Sequence, residues 1–387
     1  MAAHLKAVNP EVLQWARERS GMTIEEVAVE LKKDESEIEA WESADSDAAP
    51  TYGQLETLAY RLYKTPLAVF FFPEPPDEPD AQGQFRLVPG AELDGFEPDT
   101  RYAVRLAVAA QESLREFGTG AETAAILGAV QARRFRSLES LCTRVREELG
   151  IPLSNQTSWT SLEDAFKEWR TAVESAGVYV FKRSFKQKST SGFSLYDERF
   201  PVIYINNSNA WARQIFTLFH ELAHLLYGAS GVTIAGESYL GELDPEEREI
   251  EIACNRFAGI FLVPDSDFDI RSSGMAGTEE EVDDLARYYC VSREVVLRKF
   301  HDRGRVSEEE YEARASLYNR DYEEARAQGS KGGNYYSTQA SYVSKRYAEL
   351  AFARYHEGRV TLGELAGHLG VKAKNIGRFE TAVIEAS

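Results

Sequence analysis

Apolar residues recur three and four positions apart along most of the chain, the spacing of helices that bury one face. Over residues 1–75, Leu13, Ala16, Val27, Leu31, Ile38, Trp41, Leu55, Leu58, Ala59 and Leu62 fall on that spacing and supply a core. Start signals sit between them. Asn9-Pro10 puts a capping amide before a proline in the first turn, and Thr23-Ile-Glu-Glu26 is a capping box. Asp34 opens a third helix that runs through Trp41. The pattern predicts five short helices. Between Pro73 and Pro79 the proline density is too high for a helix and predicts an extended linker. Thr100 to Phe117 and Ala121 to Leu149 then predict two long bracing helices. Arg133, Arg134, Arg136, Arg144 and Arg146 gather on the second, as a solvated face paired with Glu139, Glu147 and Glu148.

After a further helix, Leu162 to Ala176, the period shortens to that of strands in Val178–Phe181, Gly192–Tyr196 and Val202–Ile205. Gly192–Tyr196 is the expected edge of the sheet, and the basic run Lys182 to Lys188 before it reads as a solvated turn. Helical spacing returns from Thr217. Val282 to Arg298 looks like two helices turning at Cys290-Val-Ser, a packing element rather than a groove reader. Gly329 to Gly333 is a break, and the tail from Ser337 forms two or three helices, with a small helix-turn-helix look over Gly358–Val371. The expected fold is mainly α with a small antiparallel β-sheet (α+β). Its expected parts are residues 1–75, a linker with bracing helices over 76–150, a central domain over 151–328 and a helical region over 334–387.

Chemistry enters at His220-Glu-Leu-Ala-His224, an H-E-x-x-H string inside the apolar run Phe219–Leu226. Positions four apart share a helix face, so both imidazoles face one Zn²⁺ while Glu221, one step round, reaches a water at the open coordination position. From Thr217 to Leu226 these three are the only titratable groups. Burying them in an apolar helix costs on the order of several kcal/mol unless a partner such as a divalent metal is present. A third ligand is required, and Glu251 is the choice. It lies on the apolar helical segment Glu251–Pro264, with Asn255 four residues on to orient a liganding group. Glu249 competes but points to the opposite side of that helix, and Cys254 is a softer donor that reads better as a small buried hydrophobe. Tyr227, Tyr288, Tyr289 and His301 are all available as donors to an oxyanion, whereas His4, His356 and His368 lie far from the motif.

Three stretches together resemble the ImmA/IrrE family of metallopeptidases: Phe216 to Leu226; Glu251, Asn255, Phe257-Ala258 and Val263-Pro264; and Gly192 to Asp197 followed by Pro201 to Asn206. The resemblance implies a zincin-like fold for the central domain. It assigns His220, His224 and Glu251 as zinc ligands and Glu221 as the general base. Members often carry an Xre-type helix-turn-helix domain, which Thr23-Ile-Glu-Glu-Val-Ala and Ser36-Glu-Ile-Glu-Ala-Trp-Glu resemble. The implied partners are a protein substrate, either a repressor or a component of a toxin system, and operator DNA, with a homodimer formed through the helix-turn-helix or C-terminal region.

Charge tempers the DNA expectation. The net charge is −19, and residues 1–75 hold seven basic against fourteen acidic side chains. The candidate recognition helix carries Asp34, Glu35, Glu37 and Glu39 where phosphates would lie, leaving Lys32, Lys33 and Ser36 as its candidate DNA contacts. No apolar stretch approaches the ~18 residues of a membrane span, the N-terminus lacks an apolar signal core, and Cys142, Cys254 and Cys290 are scattered and odd in number. A cytoplasmic protein without a membrane partner is expected. Two function classes follow: a regulatory zinc endopeptidase, or a non-proteolytic regulator or antitoxin whose zinc domain is structural or sensory.

Overall fold

The structure, a computed structural model, describes residues 7–77, 96–118, 123–187, 189–234, 243–328 and 335–385. The chain divides into two compact units, residues 1–108 with 185–187, and residues 109–184 with 188–387.

In the first unit the start signals act as expected. The Asn9 side chain accepts from the Glu11 amide at 3.0 Å, and its Nδ2 donates to the Phe72 and Pro73 carbonyls, closing the unit on itself. Both halves of the Thr23/Glu26 capping box are made, at 3.2 and 2.8 Å. Helices Pro10–Ser20, Ile24–Leu31 and Glu35–Glu42 enclose Val12, Leu13, Val27, Ile38 and Trp41. Helix Tyr52–Glu56 runs on as a wider-turned segment, Thr57–Leu62, and a 3₁₀ turn, Leu67–Phe71, completes the core with Phe70. Arg17 forks onto Glu42 through Nε and Nη2, both at 2.9 Å. Residues 73–77 hold no regular structure, and Pro79 lies outside the described residues.

The first bracing helix spans Pro98–Glu116, but the second is not one helix. A short helix, Ala125–Ala129, ends where Val130 turns extended at φ −129°, a 3₁₀ turn follows at Ala132–Arg134, and Ser137 caps a new helix, Leu138–Leu149. Burial explains the break. Val130 and Ala132 plug the central core from an irregular segment, so Arg133, Arg134 and Arg136 never share a helical face with the others. Arg144 keeps the expected pairing with Glu147 and Glu148. Arg146 instead turns inward, donating to the Phe261 carbonyl at 2.6 Å and to Gln156 at 2.9 Å.

The sheet is mixed rather than antiparallel. Its strands are β1 (Tyr179–Arg183), β2 (Thr190–Leu195), β3 (Val202–Asn206) and β4 (Gly231–Ile234), in the order β1-β3-β2-β4. β2 runs antiparallel to both neighbours, while β1 pairs parallel with β3, Tyr179 opposite Val202. The hairpin β2–β3 inserts with β3 inward, which leaves β1 only β3's far edge. The expected edge strand is therefore interior, and β4, four residues too short to show a period, takes the edge. Lys182 belongs to β1 and not to a solvated turn. Its ammonium lies 4.7 Å from the Phe166 ring and 4.4 Å from the Trp211 ring, while Lys188 lies outside the described residues.

Helix Trp211–Leu226 packs beneath the sheet against helix Pro245–Leu262. Trp169, Phe219 and Phe261 lock that crossing, edge to face at 4.9 Å for the first pair and stacked at 4.2 Å for the second. Helices Glu279–Tyr289 and Arg293–Asp302 turn at Cys290, held in the left-handed conformation at φ 54°. Tail helices Tyr335–Tyr342, Lys345–His356, Leu362–Leu369 and Ile376–Glu385 are joined to the central sheet by Arg170, which donates to the carbonyls of Val180, Ser341 and Val343. Among the described residues no helix is long and apolar enough to cross a membrane.

Candidate metal centre and active site

Helix Trp211–Leu226 is buried from Thr217 to Leu226, and its titratable groups His220, Glu221 and His224 meet partners inside the protein. His220 and His224, one turn apart, bring their Nε2 atoms within 3.0 Å of each other. Helix Pro245–Leu262 delivers Glu251 to the same point, its carboxylate oxygens 3.3 Å from His220 Nε2 and 3.0 Å from His224 Nε2. The three donors lie within 4.8 Å of one another. Two ligands ~2.1 Å from a tetrahedral Zn²⁺ stand ~3.4 Å apart, so this triangle is close to one face of such a tetrahedron. Asn255 Oδ1 lies 3.0 Å from His220 Nδ1; the amide oxygen accepts, so Nδ1 carries the hydrogen and the Nε2 turned toward Glu251 is bare. Two imidazoles from one helix and a carboxylate from the next, converging in a buried spot, fit zinc. Glu249 is exposed, away from this cluster.

Burial and contact set the charges. Burial alone would raise Glu251, but the imidazoles of His220 and His224 beside it hold its carboxyl far below the ordinary range. Burial would lower His224, yet the neighbouring Cys254 thiol and the Glu251 carboxylate outweigh it and raise it well above its ordinary value. Cys254, fully buried, is pushed up by desolvation. Its apolar role was legible in the sequence; its place against His224 was not.

Glu221 points to the sheet. Its Oε2 accepts from Ser194 Oγ of β2 at 2.7 Å, and its Oε1 accepts from the Thr233 amide of β4 at 3.1 Å and from the Thr233 hydroxyl. Desolvation raises its carboxyl above the usual range, while the histidines and these hydroxyls pull it back. β4 also covers His224: a Cβ at Gly231 would stand 2.5 Å from the imidazole, and one at Gly192 would stand 2.5 Å from Thr217 and 2.8 Å from the Tyr204 carbonyl. His220 and Glu221 are fully buried, and His224 and Glu251 are 2% and 7% exposed.

Ser194, Thr233 and Gly231 escaped the sequence reading. Ser194 had a weak signal, one of three hydroxyl residues in β2 with Thr190 and Ser191; Thr233, in a strand without a period, had none. Of the four oxyanion candidates, Tyr289 donates to Asp267 at 2.7 Å, His301 engages the Val306 carbonyl and Glu308, and Tyr288 carries the Arg271 guanidinium at 3.8 Å. Tyr227 caps the H-E-x-x-H helix, and partial burial raises its hydroxyl. In the first unit, Lys32 is an exposed left-handed cap, Ser36 is exposed on helix Glu35–Glu42, and Lys33 is held by Glu37 at 2.9 Å.

A buried His-Glu-His pair of turns under a small mixed sheet, completed by a glutamate from the next helix, defines a peptidase-like domain. Residues 173–301 match the family model Peptidase_M78, described as the IrrE N-terminal-like domain. The matched stretch runs from Val173, just before β1, through Glu251 and Asn255 to His301 and so contains all of the site. No curated protein matches the chain.

Proposed function

We propose that the chain is a zinc-dependent endopeptidase that makes a limited cut in a regulatory protein, such as a repressor, brought to it by the N-terminal helical unit. His220, His224 and Glu251 would hold the zinc. When bound, zinc supplies Lewis acidity toward the scissile carbonyl and the attacking water. Glu221 takes the proton from that water at a carboxylate oxygen and returns it to the leaving amine. The sheet and the aromatic lock around Phe219 keep bulk water out, which strengthens these interactions. The observation that carries the reading is the company of Glu221: a structural zinc site needs His220, His224 and Glu251 but has no use for a buried carboxylate beside them.

The cut itself is the test. In cells producing the parent chain, labelling of protein N-termini reveals a new terminus that is missing with Glu221→Gln, although that variant keeps its zinc; the same termini in both strains would retire catalysis.

A second reading, a non-proteolytic regulator or antitoxin, is favoured by one feature of the first unit. Its candidate recognition helix exposes Glu35 and Glu39, and its Lys33 is occupied by Glu37. That face suits a basic protein surface better than a phosphate backbone.

A further inference from the structure

The lone pairs of Glu221 are nearly all spoken for, and by the sheet. An ionised carboxylate offers about four acceptor sites. Three are filled among the described residues: Ser194 Oγ occupies one on Oε2, and the amide and hydroxyl of Thr233 occupy both on Oε1. Ser194 and Thr233 come from neighbouring strands, β2 and β4, whose pairing sets Ser194 opposite Gly231 and Gly192 opposite Thr233. The clamp is therefore built by strand register. Ser194 and Thr233 are themselves buried, at 0% and 4% exposure, so no solvent competes for these bonds.

We propose that Ser194 and Thr233 are positioning residues that fix the Glu221 carboxylate so that Oε2, with its one remaining lone pair, is the oxygen that receives the proton. The assignment rests on the peptidase reading of the site. Oε1 is immobilised as the acceptor of two donors and takes no part in proton transfer. Ser194 stays bonded to Oε2 at both stages, because the arriving proton takes the free lone pair and leaves the one to which Ser194 donates. Because Thr233 belongs to the edge strand, any displacement of β4 also loosens the base.

Two measurements on the full chain test the clamp separately from the chemistry. The first is hydrogen exchange of the segment 231–234 in the metal-free protein. Glu221→Ala removes the acceptor, so exchange at Thr233 rises about threefold or more, while β3, which makes no hydrogen bond to Glu221 among the described residues, stays unchanged. Equal exchange in parent and variant overturns the clamp. The second is turnover of a pool of quenched fluorescent peptides by zinc-loaded protein. Thr233→Val and Ser194→Ala each lower kcat by ~10–100-fold, with KM and zinc content held, and Thr233→Ser restores the parent rate. An unchanged kcat in Thr233→Val, or no rescue by Thr233→Ser, overturns the positioning role. A parent chain without turnover, together with the exchange response, retires the peptidase reading and keeps the clamp.

Discussion

Asn255 carries more of the centre than its neutral side chain suggests. By accepting from His220 Nδ1 at 3.0 Å it fixes which nitrogen is bare. Asn255→Ala is expected to weaken zinc binding by ~10–100-fold without unfolding the chain, as read by competition against a chromophoric chelator. His224 sets the pH dependence. Its folded pKa lies above the ordinary value, so the ion must displace a proton there; affinity falls as pH drops through neutrality, and calorimetry in buffers of different ionisation enthalpy should show proton release. Lys182 makes the opposite kind of demand. Burial pushes its ammonium down to about 7, so between that value and the ordinary one near 10.5 the unfolded chain binds the proton that the folded chain has lost. Stability therefore rises with pH across that window. Lys182→Met removes the cost and should stabilise the protein at pH 7 by ~1–2 kcal/mol after the lost ring contacts are allowed for, measured by urea unfolding.

Strand β4 is the element on which the site closes. Gly231 passes so near His224 that a methyl group there has no room, and the obstacle is a ring held by Glu251 rather than a flexible tip. Gly231→Ala should cost ~1–3 kcal/mol of stability and weaken zinc binding with it; an unchanged melting temperature would contradict the packing. The helices of the site were legible because their signals are long: His220 to His224 and Glu251 to Asn255 repeat at a spacing that only a helix turns into one face. β4 was not legible. Four residues carry no measurable alternation, and its place at the edge depends on β3 pairing in parallel with β1, a long-range choice that leaves no local mark. The broken helix before Leu138 misled for a related reason, since the apolar residues on either side continue at helical spacing while the backbone turns extended at Val130 and Gln131 and then enters a 3₁₀ turn at Ala132.

For the whole molecule, charge decides what the first unit meets. A chain at −19, with acids exposed along its candidate recognition helix, is expected not to retard duplex DNA at ~150 mM salt. A retardation that persists there and vanishes in a Lys32→Ala/Lys33→Ala variant would restore operator DNA as a partner. The most direct test of the account is zinc content, measured by elemental mass spectrometry on protein purified with zinc and then dialysed. The parent chain and Glu221→Gln should each retain one ion and His224→Ala none. A parent chain without zinc, or a His224→Ala variant that holds as much as the parent, would contradict the proposed centre.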